Sequence, residues 1–335
     1  MNNLKIHVIA EKFVGEANGV TTAILELIES LKKDPFYDLQ NQAKTADVVH
    51  AHTIGLDYIR QSFRFKNKMV VSAHVVPDSF IGSLIFSRLW RPLAKLYLRY
   101  VYNRAREVIA VSPFVKMELE KIGVKSKIHV LCNSVDRQKF KQDDGMRETF
   151  RKKMGLTNEF VVTCVGQIQP RKGIYDFIET AEKCPNVTFV WVGGTPFKGL
   201  TAEYNKLQEV VKQAPKNIIF TGIVDFNEMP GYYAASDVFF MPSYQENFAF
   251  ATIEASSVKL PLLLRDNVEY PSSLFTHYLK GKNSDDFAKI VTKLSEDKNF
   301  LEQWQNESEE LASKYSLKAY MKQLKDIYLG LLNNS

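Results

Sequence analysis

Two carboxylates stand eight positions apart in the stretch ENFAFATIE, at Glu246 and Glu254. Before them, residues 238–242 (VFFMP) have the length and β-character of a buried parallel strand. The stretch FAFATIEASS has apolar residues at helical spacing, so the pattern predicts a strand, a turn and a helix. We expect Glu246 at the mouth of the turn. Glu254 should lie two turns along the helix on nearly the same face, because eight residues at roughly 100° advance it by about 80° past two full circles.

This pair of acids suits a ligand that carries hydroxyl groups. Carboxylates are natural acceptors for paired hydroxyls, and a nucleotide sugar has hydroxyls on its hexose and on its ribose at a comparable separation. The predicted helix N-terminus offers free N–H groups and a positive partial charge to a diphosphate. Two acids at this spacing also fit a solvated helix face, so the surrounding segments decide between the two interpretations.

Those segments carry a family resemblance. Residues 235–264 (ASDVFFMPSYQENFAFATIEASSVKLPLLL) resemble the retaining glycosyltransferases of family 4, which have a strand, a Pro-Ser, two acids around a Phe and a later Pro. Nearly the whole chain follows the resemblance, through the segments DVVHAH, VVSAH, VIAVSPF, CNSVD, VGQIQPRKG and WVGG. The resemblance implies an α/β fold of the GT-B type. Two Rossmann-like domains then face a central cleft, and a C-terminal helix crosses back to the first domain.

The chain departs from the family pattern at a few positions. Asn247 and Ala249 replace the usual glycines around Phe248, and Lys259 replaces a common Gly before a Pro. Gln167 occupies a slot that usually holds an Arg. These departures concern the contacts to the donor hexose and the residue that holds the diphosphate.

A basic pair, Arg171 and Lys172, follows the predicted strand of residues 160–165 and precedes a helix that begins near Gly173. Cleavage of a sugar–phosphate bond leaves a diphosphate whose growing negative charge needs stabilisation, and donors of this kind contribute about 3 kcal/mol each in comparable transition states. The resemblance implies that Lys172 contacts the diphosphate and that Arg171 substitutes for the Arg replaced by Gln167. A basic pair in a loop also fits a solvated surface.

The catalytic set that the resemblance implies is His74, Glu246, Lys172 and Arg171. His74 ends the strand MVVSA and is expected near the reacting carbon of the donor, where it acts by position and polarity. The alternative for a single His at a strand end is a hydrogen-bonded structural residue.

The remaining donor contacts follow from the same resemblance. Glu254 is expected at the ribose, Asn247 and Phe248 near the hexose, and Gly19 where the backbone approaches the phosphates. We interpret His50 and His52, which flank the same cleft, as structural. No DxD metal motif stands beside a strand, so we expect no metal and no cofactor besides the UDP-sugar substrate.

The composition indicates a two-domain enzyme of a reducing compartment. A chain of 335 residues with 45% hydrophobic content exceeds the size at which a single core usually splits. No run approaches the roughly 18 apolar residues of a membrane span, and the N-terminus has no signal-peptide pattern. The three cysteines lack metal-ligand spacing. We therefore expect a cytoplasmic protein.

Strand-like and helical segments alternate along the chain, which predicts two parallel sheets with helices on both faces. The domains expected are residues 1–145, residues 146–315 and a returning helix at 316–335, with a polar linker at 137–153. The predicted strands are residues 5–10, 48–51, 69–72, 108–111 and 128–131, and then 160–165, 188–192, 217–221, 238–241 and 262–264.

Positive charge is concentrated in the first domain. Residues 1–140 hold 21 Lys and Arg against 13 Asp and Glu, whereas the rest of the chain holds 23 against 25. On the predicted helix around residue 95, basic residues fall within about an 80° arc beside Trp, Tyr and Leu, which is typical of a helix in a bilayer interface. The alternative is a helix whose basic side is solvated. The membrane contacts expected are Arg88, Trp90, Arg91, Lys95 and Arg99.

The short first domain and this helix resemble the bacterial synthases that add a second hexose to monoglucosyl-diacylglycerol. We therefore expect retaining transfer of a hexose from UDP-glucose or UDP-galactose to a diacylglycerol glycolipid, on an anionic membrane surface at the inner face of the cell membrane. One alternative keeps the fold and takes a polyprenyl-linked or polysaccharide acceptor. Another is a non-catalytic lipid-binding scaffold, motivated by Gln167, Asn247 and Ala249. No motif for nucleic-acid recognition is present, so no nucleic-acid partner is expected.

Overall fold

A computed structural model describes residues 3–11, 19–80, 87–195 and 203–333, without the side chains of residues 78, 80 and 87–90. The chain divides into two compact units. Within the described residues, the first unit comprises residues 3–80, 87–133 and 318–333, and the second comprises residues 134–195 and 203–317.

Strands and helices alternate throughout the described residues. Up to residue 130 the elements are β1 (Leu4–Ile9), α1 (Gly19–Lys33), β2 (Tyr37–Leu39), β3 (Val48–Ala51), α2 (Leu56–Phe65), β4 (Met69–Ala73), α3 (Ser87–Tyr102), β5 (Glu107–Ala110), α4 (Pro113–Lys121) and β6 (Lys127–Val130). The following elements are α5 (Asp144–Lys153), β7 (Val161–Val165), α6 (Ile174–Lys183), β8 (Thr188–Val192), α7 (Tyr204–Lys212), β9 (Ile218–Gly222), α8 (Met229–Ala234), β10 (Val238–Met241), α9 (Phe250–Ser257), β11 (Leu262–Arg265), α10 (Pro271–Leu274), β12 (Leu279–Gly281), α11 (Ser284–Glu296), α12 (Lys298–Ser313) and α13 (Leu317–Asn333).

Each unit is built on a six-stranded parallel sheet of described residues. The strand orders are β2-β1-β3-β4-β5-β6 and β12-β11-β10-β7-β8-β9. The central strands β3 and β10 (VVHA and VFFM) are buried at every position, because helices cover both faces of the sheets. The predicted α/β fold with two parallel sheets is confirmed.

The structure adds two strands that the sequence reading missed, β2 and β12. Each has three residues and lies at the edge of its sheet, where one side of the strand has no partner. A run of three residues is too short to show the alternation of apolar and polar residues that identifies a strand.

The predicted linker at 137–153 is a loop only in its first part. Residues 144–153 form α5, and the Asp143 side chain caps this helix by accepting a hydrogen bond from the Met146 N–H. An Asp before a short amphipathic run is a helix start signal that the charge-rich composition obscured.

The last helix, α13, returns to the first unit as expected. Leu324, Tyr328 and Leu331 on this helix are fully buried in one hydrophobic cluster with Ile6 of β1 and Val48 of β3. None of the helices in the described residues combines the length and the apolar run needed to cross a membrane.

Candidate functional site

The strand order of the second sheet reverses between β7 and β10. In open α/β sheets, ligands bind outside the carboxyl ends of the strands at such a reversal. The segment after β7 carries Arg171 and Lys172, and the segment after β10 carries Glu246. The topology therefore brings three of the four predicted catalytic residues to one edge of the sheet.

A glycine allows these two segments to approach closely. Gly173 has a positive φ of 76°, and a Cβ at this position would lie 2.3 Å from the carbonyl oxygen of Pro242. The Tyr244 N–H donates to the Arg171 carbonyl oxygen at 2.8 Å, and Arg171 Nη1 donates to the Gln245 carbonyl oxygen at 2.6 Å. The basic segment is thus fixed to the acidic one by a backbone hydrogen bond and by a hydrogen bond from the Arg171 side chain to the backbone.

An ion pair joins the two segments at their side chains. Lys172 Nζ donates to Glu246 Oε1 at 2.5 Å, and Arg171 Nη1 lies 3.9 Å from Glu246 Oε2. Burial alone would raise the pKa of Glu246, but Lys172 and Arg171 outweigh it and hold that pKa below its usual range. Burial lowers the pKa of Lys172, and Glu246 opposes that effect. Two cationic side chains, Lys172 and Arg171, therefore flank one ionised carboxylate, that of Glu246.

Glu254 lies deeper in the same unit and has a different environment. It is buried on α9 and accepts a hydrogen bond from the Tyr233 hydroxyl at 2.6 Å. Burial raises its pKa to about 7, although Tyr233 acts in the opposite direction. Near neutral pH this carboxyl therefore exchanges a proton, whereas Glu246 stays ionised.

The expected helical relation between the two acids is wrong, because α9 begins only at Phe250. Glu246 lies on the preceding loop, four residues outside the helix, and Glu254 lies about one turn into it rather than two. Both carboxylates are nevertheless buried, with 7% of Glu246 and 4% of Glu254 exposed. A solvated helix face is therefore excluded for both.

A narrow pocket lies beside Glu246. Asn247 contributes to its wall and accepts a hydrogen bond from Gln245 Nε2 at 2.8 Å. Phe248 also contributes, and its ring packs edge-on against Tyr315, with the ring centroids 5.7 Å apart. The residues that line the pocket are Glu246, Asn247, Phe248, Ala249, Glu269, Tyr270, Ser273 and Leu274.

The sequence reading missed Glu269, a third acid at this site. Its Oε1 accepts a hydrogen bond from the Glu246 N–H at 2.7 Å, and only 5% of the residue is exposed. Burial raises its pKa, and the nearby Glu246 charge acts in the same direction. Its position shortly after β11, the neighbour of β10, was the available signal, since residues that follow adjacent parallel strands meet at one sheet edge.

The predicted donor-site residues of the first unit, His74 and Gly19, lie after a strand and at the start of a helix. His74 directly follows β4 and is partly buried, and His52 follows β3. Burial lowers the pKa of His74 to about 4, so its imidazole is neutral at pH 7. Gly19 is the exposed first residue of α1. The preceding residues 12–18, which include most of the EANGV segment, lie outside the described residues.

The basic helix α3 exposes both charged and apolar side chains. Arg91, Lys95 and Arg99 are exposed. The side chains of Arg88 and Trp90 lie outside the described residues. The large apolar side chains exposed on the same helix, with their exposed fractions, are Leu93 (68%), Leu96 (62%), Tyr97 (42%) and Tyr100 (48%).

One group of side chains in the described part of the chain has the spacing of a metal site. Ligand atoms of His277, Glu307 and Glu310 lie within 4.8 Å of one another. Lys314 Nζ lies 2.5 Å from His277 Nε2 and 3.7 Å from Glu310 Oε1, so an ammonium group already contacts two of these three side chains. The absence of a metal from the reaction stays a prediction.

Known proteins resemble both halves of the chain. Residues 24–139 match the family model described as Glycosyltransferase Family 4, and residues 146–311 match the model described as Glycosyl transferases group 1. The chain is 31% identical to the alpha-galactosylglucosyldiacylglycerol synthase of Streptococcus pneumoniae, over 93% of this chain and 86% of that protein. It is 34% identical to the processive diacylglycerol alpha-glucosyltransferase of Acholeplasma laidlawii, over 75% of each protein.

The fold also matches a solved structure. Anabaena Alr3699/HepE in complex with UDP-glucose superposes with a TM-score of 0.80 at 17% identity, over 98% of this chain and all of that one. At this identity the match concerns the fold alone. Together with the family models and the relatives, it establishes that the chain is a group 1 glycosyltransferase of family 4 with the GT-B fold.

Proposed function

We propose that this enzyme transfers a glucose or galactose residue from a UDP-sugar to monoglucosyl-diacylglycerol and gives a diglycosyl-diacylglycerol. The observation that carries the proposal is the exposed basic and apolar face of α3 on a chain whose relatives are named as diacylglycerol glycolipid enzymes. That face has the composition of a helix that lies in an anionic membrane interface. The protein would then work at the cytoplasmic face of the membrane without spanning it.

The donor would bind at the carboxyl edge of the second sheet. Lys172 and Arg171 would hold the diphosphate, Glu246 the hexose and Glu254 the ribose. The complex of the Anabaena protein of the same fold with UDP-glucose supports a UDP-sugar as the donor. Asn247 and Phe248, in the pocket wall beside Glu246, would contact the hexose. Gly19 would let the α1 N-terminus approach the phosphates.

The reaction would retain the configuration of the transferred sugar. The bond between the sugar C1 and the β-phosphate oxygen breaks, and the acceptor oxygen bonds to C1 on the same face. The acceptor proton passes to the departing phosphate oxygen, and UDP leaves. Lys172 and Arg171 stabilise the charge that grows on UDP, and His74 orients the reacting groups without becoming charged.

The test uses vesicles of phosphatidylglycerol and monoglucosyl-diacylglycerol with the full chain and either UDP-glucose or UDP-galactose. Mass spectrometry should find a lipid heavier by one hexose with at least one donor, and the new anomeric centre should have the donor configuration. Transfer to a polyprenyl-linked or soluble glycan, with none to the glycolipid, would overturn the proposal.

A further inference from the structure

Three histidine rings lie in contact at the carboxyl ends of β3 and β4 in the first unit. His50 is satisfied at both nitrogens, since Nδ1 lies 2.7 Å from the Tyr328 hydroxyl and Nε2 lies 2.9 Å from the Ser72 hydroxyl. Its ring lies 4.4 Å from that of His52. His50 therefore has a structural role, as the sequence suggested.

His52 is different from His50, although the sequence reading grouped the two. Its Nδ1 lies 3.1 Å from Nε2 of His74. Only 4% of the residue is exposed, and within the described residues the buried Nε2 has no hydrogen-bond partner. A buried ring nitrogen at the end of a parallel strand, without a protein partner, indicates a place where a ligand atom binds.

Because the rings of His52 and His74 are in contact, the tautomer of one ring determines the tautomer of the other. Burial lowers the pKa of both residues, so both rings are neutral at pH 7 and each carries a single N–H. If His52 Nδ1 carries the hydrogen, then His52 Nε2 is an acceptor and the hydrogen of His74 lies on its Nδ1. If His74 Nε2 carries the hydrogen, then His52 Nε2 is a donor and His74 Nδ1 is an acceptor.

We propose that His52 is a positioning residue that binds a hydroxyl group of the acceptor through Nε2 and sets the tautomer of His74 through Nδ1. The inference rests on the proposed function, because it places the acceptor head group at the first sheet. A hydroxyl both donates and accepts, so it matches His52 in either tautomer. A phosphate accepts only and an ammonium donates only, and each would also bring a charge into a buried site. The acceptor head group that contacts His52 is therefore an uncharged polyol.

Two substitutions separate the roles of the two ring nitrogens of His52. The side-chain amide in His52→Asn ends near the position of Nδ1, so it keeps a partner for His74 and loses the contact at Nε2. The amide in His52→Gln ends near the position of Nε2, so it keeps that contact and loses the one to His74. His52→Asn should raise the acceptor KM by about tenfold with kcat within about threefold, since one hydrogen bond to the acceptor is lost. His52→Gln should lower kcat by about tenfold or more with a nearly unchanged acceptor KM. His7→Asn is the matched control, at a histidine of β1 whose Nδ1 lies 2.9 Å from the Gln40 carbonyl oxygen.

A spectroscopic measurement tests the coupling without turnover. In the full chain with ¹⁵N-labelled histidine, monoglucosyl-diacylglycerol in micelles should shift the ring nitrogens of His74 in the wild type but not in His52→Asn. In the free protein, His52→Gln should change these shifts and His52→Asn should preserve them. UDP-glucose binding and the melting temperature show whether each variant is folded. If His52→Gln does not fold, His52→Asn and the labelled wild type still decide the question.

The outcomes separate the two proposals. Equal kinetics for both His52 variants and for His7→Asn, with unchanged His74 shifts, would overturn the inference while glycolipid transfer by the wild type stands. Absence of glycolipid transfer by the wild type would overturn the proposed function. The shifts of the free protein would then still report whether His52 sets the tautomer of His74.

Discussion

The Lys172 ammonium donates to the Glu246 carboxylate across 2.5 Å, so in the free enzyme the main cation of the site is already paired with the acid beside it. In the proposed binding mode, a diphosphate on Lys172 would compete with that carboxylate, whereas the hexose would need the same carboxylate as an acceptor. We therefore propose that Glu246 opposes the binding of UDP alone and supports the binding of UDP with its sugar.

Glu246→Gln should separate these two effects. Removal of the negative charge frees Lys172, so UDP should bind several-fold more tightly, while transfer from UDP-glucose should fall by about tenfold or more because a charged acceptor for the sugar is lost. Calorimetric titration with UDP, together with initial rates with UDP-glucose, measures both. Glu309→Gln, at a partly exposed acid paired with Lys259, is the control and should change neither. Weaker binding of UDP in Glu246→Gln would contradict the competition.

Lys172→Met should reduce kcat/KM by about 10²-fold to 10³-fold, because a preorganised donor for the developing diphosphate charge is lost. The comparison is Lys183→Met, a lysine of the same unit that pairs with exposed acids. An unchanged rate in Lys172→Met, measured as UDP release, would show that Arg171 alone stabilises the leaving group.

The raised pKa of Glu254 predicts a pH-dependent donor affinity. In the proposed binding mode, ribose hydroxyls would donate to the ionised carboxylate, so below pH 7 the binding of UDP-glucose should release a proton. The affinity should increase up to about tenfold per pH unit until the pH reaches about 7 and then level off. UDP-glucose is the suitable probe because its diphosphate has no ionisation in this range. Glu254→Gln should lose the slope, and a slope that persists would assign it to another group.

The same residue predicts a change in stability with pH. Below the usual pKa of 4.5, Glu254 is protonated in both the folded and the unfolded chain. As the pH rises from there to about 7, the unfolded chain releases this proton while the folded chain keeps it, so stability is lost. Glu254→Gln should therefore be more stable than the wild type at pH 8, by an amount on the order of 3 kcal/mol. The difference should vanish near pH 4. Denaturant unfolding at both values measures it, and equal stability at pH 8 would refute the burial argument.

Gly173→Ala should lower both the stability of the protein and the rate of hexose transfer. The added Cβ would lie 2.3 Å from the Pro242 carbonyl oxygen at a positive φ, so the loop that holds Lys172 must move. Gly155 is the matched control, because its φ is also positive but nothing lies within 4 Å of a Cβ there. We expect Gly155→Ala to cost about 1 kcal/mol from backbone strain alone, with normal kinetics. Similar rates in the two variants would show that the close approach does not position Lys172.

Substitution of Arg91, Lys95 and Arg99 by Ser should weaken binding to vesicles that contain phosphatidylglycerol. Each basic side chain near an anionic surface contributes about 1 kcal/mol, so the triple variant should bind about 10²-fold more weakly and with less dependence on salt. The control removes three exposed lysines of the second unit, Lys152, Lys212 and Lys216. Equal loss in both variants would assign membrane binding to net charge rather than to α3.

The sequence predicted the parallel sheets because fully buried strands such as Val238–Met241 leave continuous apolar runs. Through the family resemblance it also assigned Arg171, Lys172 and Glu246 to one site, but it did not predict the ion pair that joins them. It did not single out Glu269, because the position after β11 does not reveal the hydrogen bond that Glu269 accepts from the Glu246 backbone. Nor could it separate His52 from His50, because only the three-dimensional contacts show which imidazole nitrogen is satisfied by the protein.

The packing of α13 affects how this protein is made. Ile6 and Val48 are synthesised before the whole second unit, yet Leu324, Tyr328 and Leu331, which complete their hydrophobic cluster, are synthesised after it. The core of the first unit therefore stays incomplete while the ribosome makes the second unit. During that time the nascent chain exposes an apolar surface, and truncation of the chain before α13 would impair the folding of the residues around Ile6.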